Sequence, residues 1–317
     1  MAPVIKNVAL IGATGSIGVP TLKALLATGK FNVTVLVRPG SSHVFPSEVT
    51  VKEADLNSLD SVTLALHGQD AVVNEISDPG FAINTRVIDA ARAAGVYRLI
   101  PAEFGFEYDP ETTLKMFPVF ADKVRTLAYL RGVAAAAAKE NPGGRGLTWT
   151  SVATGPFFDW GLERAFLGID VKNKTAQIMD GGKVSLPQST LGDIGRAVAG
   201  VLLHAEETEN RYVDIRSVTK SQSEMFALAQ EALGADGWVV TQENGKEKYD
   251  WTMAELAKGN WAPEVITYQI RYAVNDPKYA YAWDHSRERD DNELLGLKVM
   301  SDEQVKEMIK QIAAGKV

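Results

Sequence analysis

The sequence predicts an α/β protein built on a doubly wound parallel sheet, with a smaller, mainly helical domain attached. Three observations carry that prediction. The first half alternates short apolar runs with helix-like stretches, and a glycine-rich turn joins the first run to the first helix. After Gly155 the rhythm breaks into irregular, aromatic and then helical sequence. Strand–helix alternation favours parallel strands covered on both faces, because a parallel crossover is long enough to carry a helix.

The first strand is expected at Val8–Ile11 and the first helix over Ile17–Thr28. Residues of high β-propensity mark further strands at Val33–Val37, Val49–Lys52, Ala71–Asn74, Arg98–Ile100 and Thr148–Val152. Helical periodicity or composition marks Leu59–Leu66, Thr85–Ala94 and Ala121–Glu140. The alanine run Ala134–Ala138 belongs to the last of these, alanine being the best helix former. "ENPGGRG" (Glu140–Gly146) then ends that helix. Farther on, "QIMDGGKVSLP" reads as a turn between two short strands, and "TLGDIGRAVAGVLLH" as a helix begun by Thr190 or Asp193. "RYVDIRS" reads as another strand, and from Ser221 the chain is mainly helical. The expected division is 1–155 for the sheet domain, with 187–218 returning to it. Residues 156–186 and 219–317 form the smaller domain, placed over the sheet's open edge.

Composition removes several function classes. A formal net charge of −7, with dispersed Lys and Arg, argues against nucleic-acid binding, which needs clustered cations. There are no cysteines, so disulfides, thiolate nucleophiles and Cys-based zinc sites are excluded. The four histidines, His43, His67, His204 and His285, are too scattered to suggest a metal cluster. No apolar run reaches the ~18 residues of a membrane span. Strand-like sequence from Val4, with no basic-then-apolar leader, makes the cytoplasm the expected compartment. A homodimer is left open.

The turn "LIGATGSIG" spaces its glycines as G-x-x-G-x-x-G, at Gly12, Gly15 and Gly18. Glycine permits the φ values and close backbone approach that such a corner needs. The helix after it presents unpaired N–H groups and a positive dipole end to a pyrophosphate. In a βαβ context the reading is a Rossmann-type dinucleotide site formed by Gly12, Thr14, Gly15, Ser16, Ile17 and Gly18. The bland alternative is a purely structural turn. The second strand ends in "VLVRPGSS", where Arg38 stands in place of the acidic residue that would hold the ribose hydroxyls of NAD. A guanidinium suits a 2′-phosphate, so NADP(H) is the expected cofactor. Ser41, Ser42 or His43 could add contacts. Asp55, after the third strand, is either an adenine contact or a turn residue, with Asn57 or Ser58 as the following N-cap.

Together "LIGATGSIG", "VLVRPGSS", "RLIPAEFGF", "FADKVRTLAYL" and "GDIGRAVAGVLL" resemble the NmrA-like branch of the atypical short-chain dehydrogenases. The chain is most similar there to the isoflavone reductase-like enzymes, among them phenylcoumaran benzylic ether reductase, pinoresinol–lariciresinol reductase and eugenol synthase. The similarity is tightest from Val8 to about Phe158 and loose after Lys220. It implies that Pro101–Gly105, the P-[SA]-E-F-G element, follows the fifth strand beside the nicotinamide, with Pro101, Glu103 and Phe104 at the cofactor. Ala102 replaces the usual serine and removes a hydroxyl contact. The resemblance makes Lys123 both the catalytic residue and a cofactor contact, flanked by Asp122 and Arg125. Read without it, Lys123 is either a lysine perturbed by an apolar cleft or a solvated helix lysine.

Ordinary short-chain dehydrogenases pair Tyr-x-x-x-Lys. Here Val119 lies four residues before Lys123, and none of the nine tyrosines has a lysine four positions later. A reductase on this chain would therefore draw its proton from Lys123 or a water held by it. By the same resemblance Phe104, Phe157, Phe158 and Trp160 line the substrate pocket, while Trp251, Trp261, Tyr268, Tyr272 and Trp283 fall in a capping region. Core packing is the alternative for each. The expected function is an NADPH-dependent reductase of an apolar aromatic or polycyclic enone, quinone methide or carbonyl compound in secondary metabolism. The alternatives are a non-catalytic redox sensor of NmrA type and an isomerase or cyclase that keeps NADP as a scaffold.

Overall fold

The short apolar runs of the first half meet in one sheet. The computed structural model describes residues 4–76, 80–140, 146–284 and 289–316. The sheet strands are β1 (Asn7–Ile11), β2 (Asn32–Val37), β3 (Thr50–Glu53), β4 (Ala71–Asn74), β5 (Arg98–Ile100) and β6 (Thr148–Ala153). Between them run α1 (Gly18–Ala27), α2 (Leu59–Leu66), α3 (Gly80–Ala93), α4 (Pro110–Met116) and α5 (Ala121–Glu140). Then come α6 (Phe158–Glu163), the short strands β7 (Ile169–Asp170), β8 (Thr175–Met179) and β9 (Ser185–Gln188), and α7 (Leu191–Leu203). The strand β10 (Arg211–Asp214) returns to the main sheet, giving the all-parallel order β10-β6-β5-β4-β1-β2-β3.

Burial on both faces explains why these strands read as continuous apolar runs rather than alternating ones. Val8 and Leu10 of β1 pack with Leu22 and Leu25 of α1 and with Ile194 and Val198 of α7. Their neighbours Ala9 and Ile11 face the other side, against Val62 of α2, Val87 of α3 and Leu127 of α5. The strand order reverses between β1 and β4, and ligands of open α/β sheets bind at the carboxyl ends beside such a reversal.

Helices α1 and α7 cross closely because Gly195 has no side chain. A Cβ there would lie 2.6 Å from the Pro20 carbonyl oxygen. Gly195→Ala gains helix propensity of up to ~1 kcal/mol, yet overpacking against backbone costs roughly 1–3 kcal/mol. We expect a net loss of stability, read as a lower urea midpoint with an unchanged slope.

One expectation needs correction. The third long helix begins at Gly80 rather than at Thr85. Asp122 of α5 accepts a hydrogen bond from the Phe81 amide at 3.3 Å, a cap supplied from a distant helix. The two short strands of "QIMDGGKVSLP" form as expected, with the turn between them at Asp180–Gly182, and each pairs elsewhere. β8 joins β7 and β12 (Val239–Glu243), whereas β9 joins β11 (Val218–Ser221). From Ser221 the chain is mainly helical, as expected, through α8 (Gln222–Leu233), α9 (Gly245–Ala257), α10 (Pro263–Asn275), α11 (Pro277–Trp283) and α12 (Asp302–Ala313).

Candidate active site

The carboxyl ends of β1, β2 and β4 open a cleft of about 690 Å³, whose walls include Gly12, Thr14, Gly15, Arg38, Asp55 and Glu75. Gly12 adopts φ 93°, a left-handed conformation that glycine alone takes freely. A Cβ on Gly18 would fall 2.0 Å from the Gly12 carbonyl oxygen, so the turn can close only with glycine there. Helix α1 starts at Gly18 with Ile17 as N-cap, without a side-chain cap and without an acidic residue in its first turn. The Val19 amide donates to the Gly15 carbonyl oxygen at 3.1 Å and Pro20 has no N–H, so the seat for an anion narrows to the Gly18 amide and the turn before it. This cradle fits a dinucleotide pyrophosphate. Ser16 is exposed beside the turn, Gly18 is buried under it, and Ile17 faces a neighbouring pocket.

Arg38 is exposed at the end of β2, and no carboxylate among the described residues pairs with it. Ser41 and His43 share its wall of the cleft, whereas Ser42 is not among the lining residues. Asp55 lines the cleft and also accepts from the Asn57 amide at 2.9 Å. Ser58 is the N-cap of α2, accepting from the Ser61 amide.

A second pocket of about 330 Å³ adjoins the cleft, with Glu75 common to both. Phe104, Phe106, Tyr108, Phe157, Trp160 and Phe166 form much of its wall, with Lys123 among them. Phe157 and Trp160 meet edge to face at 6.4 Å, and Trp160 meets Phe166 at 5.2 Å. Phe158 is a correction. It is 1% exposed and packs with Leu162, Ile169 and Met225 in a separate core. One residue is about 100° of helical rotation, so Phe157 and Trp160 share a side of α6 while Phe158 turns inward.

The Pro101–Gly105 segment is clamped to the end of β6, since the Thr154 and Gly155 amides both donate to the Gly105 carbonyl oxygen. Phe104 is held at φ 33°, a strained conformation for a residue with a side chain. Pro101 and Glu103 line neither space; Glu103 lies beneath, 2% exposed. Tyr268 and Tyr272 belong to a buried aromatic cluster around Phe117 and Tyr249. Trp251 and Trp261 are exposed and are not among the pocket's lining residues. The Trp283 side chain and His285 lie outside the described residues.

Lys123 reaches the pocket from the first turn of α5. Its Nζ donates to the Ala102 carbonyl oxygen at 2.9 Å and to that of Glu103. Part of the side chain faces the pocket, while the ammonium is wrapped in protein. Burial holds its pKa below the ordinary lysine value, and the Glu103 carboxylate opposes that shift. Burial likewise pushes Glu103 up to about 7, opposed by Lys123 and Arg131. A lysine so placed can give up a proton more readily than one in water.

Glu75 and Tyr108 escaped the sequence reading. For Glu75 a signal existed: it directly follows "AVVN", at the carboxyl end of the strand where the sheet order reverses. Asp159, by contrast, caps α7 through the Leu191 amide and stays structural.

The NAD(P)H-binding family model matches residues 12–185, the region that builds the cleft. The chain belongs to this NAD(P)H-binding family. The oxidoreductase aprR of Aspergillus flavus is 34% identical over 255 residues, covering 80% of this chain and 82% of its own. The oxidoreductase poxI of Penicillium oxalicum is 30% identical over 308 residues, covering 95% and 92%. The family member described here is accordingly an oxidoreductase with an NAD(P)H-binding domain. A crystal structure of isoflavone reductase shares the fold, with a TM-score of 0.74 at 18% identity over 97% of this chain and 99% of that one. Among the described residues there is no helix long and apolar enough to cross a membrane and no group of three or more His, Asp or Glu placed to hold a metal.

Proposed function

We propose that this family member is an NADPH-dependent reductase of an apolar aromatic or polycyclic small molecule, with Lys123 as its proton donor. One observation carries the reading: Lys123 lines an aromatic pocket that adjoins the dinucleotide cleft, with its ammonium held just behind that wall by the Ala102 and Glu103 carbonyl oxygens. When bound, the reduced nicotinamide supplies a hydride. Gly12, Thr14, Gly15 and the start of α1 would hold its pyrophosphate, and Arg38 the 2′-phosphate of the NADP form. Phe104, Phe157 and Trp160 would keep a flat substrate in register, fixing the orientation that the reaction needs. Lys123 would keep its proton at Nζ until negative charge develops on the substrate oxygen, as in an enone, quinone methide or carbonyl compound. The carbonyl oxygens of Ala102 and Glu103 hold the ammonium in place meanwhile. The fold shared with isoflavone reductase, an enzyme named for a flat aromatic substrate, supports the same substrate class.

The test is to follow nicotinamide absorbance while the purified protein meets NADPH and a panel of aromatic enones, quinone methides and ketones. Oxidation that depends on one aromatic substrate class supports the reading; none across the panel contradicts it. On an accepted substrate, Trp160→Ala is expected to raise KM about tenfold, the loss of about 1.4 kcal/mol of aromatic contact. NADPH affinity should stay unchanged.

A further inference from the structure

Among the described residues Glu75 alone lines both the dinucleotide cleft and the aromatic pocket. Its backbone is fixed: the amide donates to the Ile11 carbonyl oxygen at 3.0 Å, tying the end of β4 to the end of β1. It also packs directly against the turn, since a Cβ on Gly12 would lie 3.2–3.4 Å from Glu75 atoms. Its two carboxyl oxygens differ. Oε1 accepts from the buried Thr21 hydroxyl of α1 at 2.6 Å. Oε2 is buried and has no hydrogen-bond partner among the described residues.

We propose that Glu75 is a proton-bearing cofactor contact: as a neutral acid its Oε2–H donates a hydrogen bond to an oxygen of the bound dinucleotide, and as a carboxylate it repels the dinucleotide's phosphates. Binding of NADP(H) therefore selects the protonated protein. A neutral carboxyl offers the one donor that an unpartnered buried oxygen can supply, whereas an ionised one is left without compensation. The charged surroundings agree. Thr21 faces Glu75 from α1, and the Gly12 peptide faces it from the turn. Lys123 of α5 shares the pocket wall, but its ammonium bonds the carbonyl oxygens of Ala102 and Glu103. Arg38, His43 and Asp55 line the same cleft without a hydrogen bond or ion pair to Glu75. Burial pushes the Glu75 carboxyl up to about 8, with the Thr21 hydrogen bond opposing. At neutral pH the neutral form prevails.

The sign follows from linkage. If only the protonated form binds well, affinity is flat below the carboxyl's pKa and falls as pH rises through it. NADPH affinity is measured calorimetrically from pH 7 to pH 9 for wild type and for Glu75→Gln, whose amide keeps a donor and the Thr21 contact. Relative to the variant, wild type should bind about tenfold more weakly at pH 9 than at pH 7. Repeating the titration at pH 9 in two buffers of different ionisation enthalpy should reveal close to one proton taken up per NADPH by wild type. Parallel affinity profiles, or no proton uptake by wild type, would overturn the proposal. The uptake measurement needs no variant, so it decides the matter even if Glu75→Gln fails to fold. Because the readout is binding alone, its failure leaves the Lys123 reading standing, and the reverse also holds.

Discussion

Lys123→Ala is expected to lower kcat on an accepted substrate at least about 100-fold, the lower end of what a positioned general acid contributes. NADPH affinity should change by no more than a few fold, because the phosphate cradle and Arg38 lie in the neighbouring cleft. The pH profile separates this from a packing effect. A proton donor must be protonated, so wild-type kcat falls as pH rises through the lysine's pKa. Burial holds that pKa below the ordinary value near ~10.4. The variant loses this alkaline limb. In Glu103→Gln the carboxylate that favours the charged lysine is gone, so the limb should move to lower pH. Stopped-flow kinetics over a pH series, with thermal melts to check folding, read the wild type and both variants. A Lys123→Ala enzyme with wild-type kcat removes the lysine from the mechanism.

Arg38→Glu is expected to reverse the cofactor preference. The guanidinium is exposed on the cleft wall with no carboxylate partner among the described residues, so it is available to a 2′-phosphate. Losing charge-assisted hydrogen bonds costs ~1.5–3 kcal/mol, and the introduced carboxylate adds repulsion. NADPH binding should weaken about 100-fold, while NADH binding holds or improves through the ribose hydroxyls. Titration of nicotinamide fluorescence with both cofactors checks the ratio. An unchanged ratio would mean that the 2′-phosphate lies elsewhere, toward Ser41 or His43.

What the sequence discloses depends on how local each cause is. The parallel sheet was legible because burial on both faces writes uninterrupted apolar runs, as in β1 and β4, and the glycine turn was legible because Gly12 and Gly18 have no substitute there. The start of α3 was not, since its cap is Asp122 from another helix. The pairing of β8 with β12 joins segments about sixty residues apart, and no spacing announces it. Within the aromatic segment, composition marks Phe157, Phe158 and Trp160 alike. Only the helical turn of α6 sends Phe158 into the core while the other two face the pocket. Glu75 was hidden for a similar reason: its environment is built by Thr21 and Gly12, more than fifty residues earlier.

The central claim is that a hydride leaves the nicotinamide for the occupant of the aromatic pocket. NADPH deuterated at C4, prepared as each of the two diastereomers, tests it on any accepted substrate. Mass spectrometry should find one deuterium in the product from one diastereomer and none from the other, with one NADPH oxidised per product formed. Product that forms unlabelled, with no net oxidation of NADPH, would contradict the account and leave the cofactor as a scaffold.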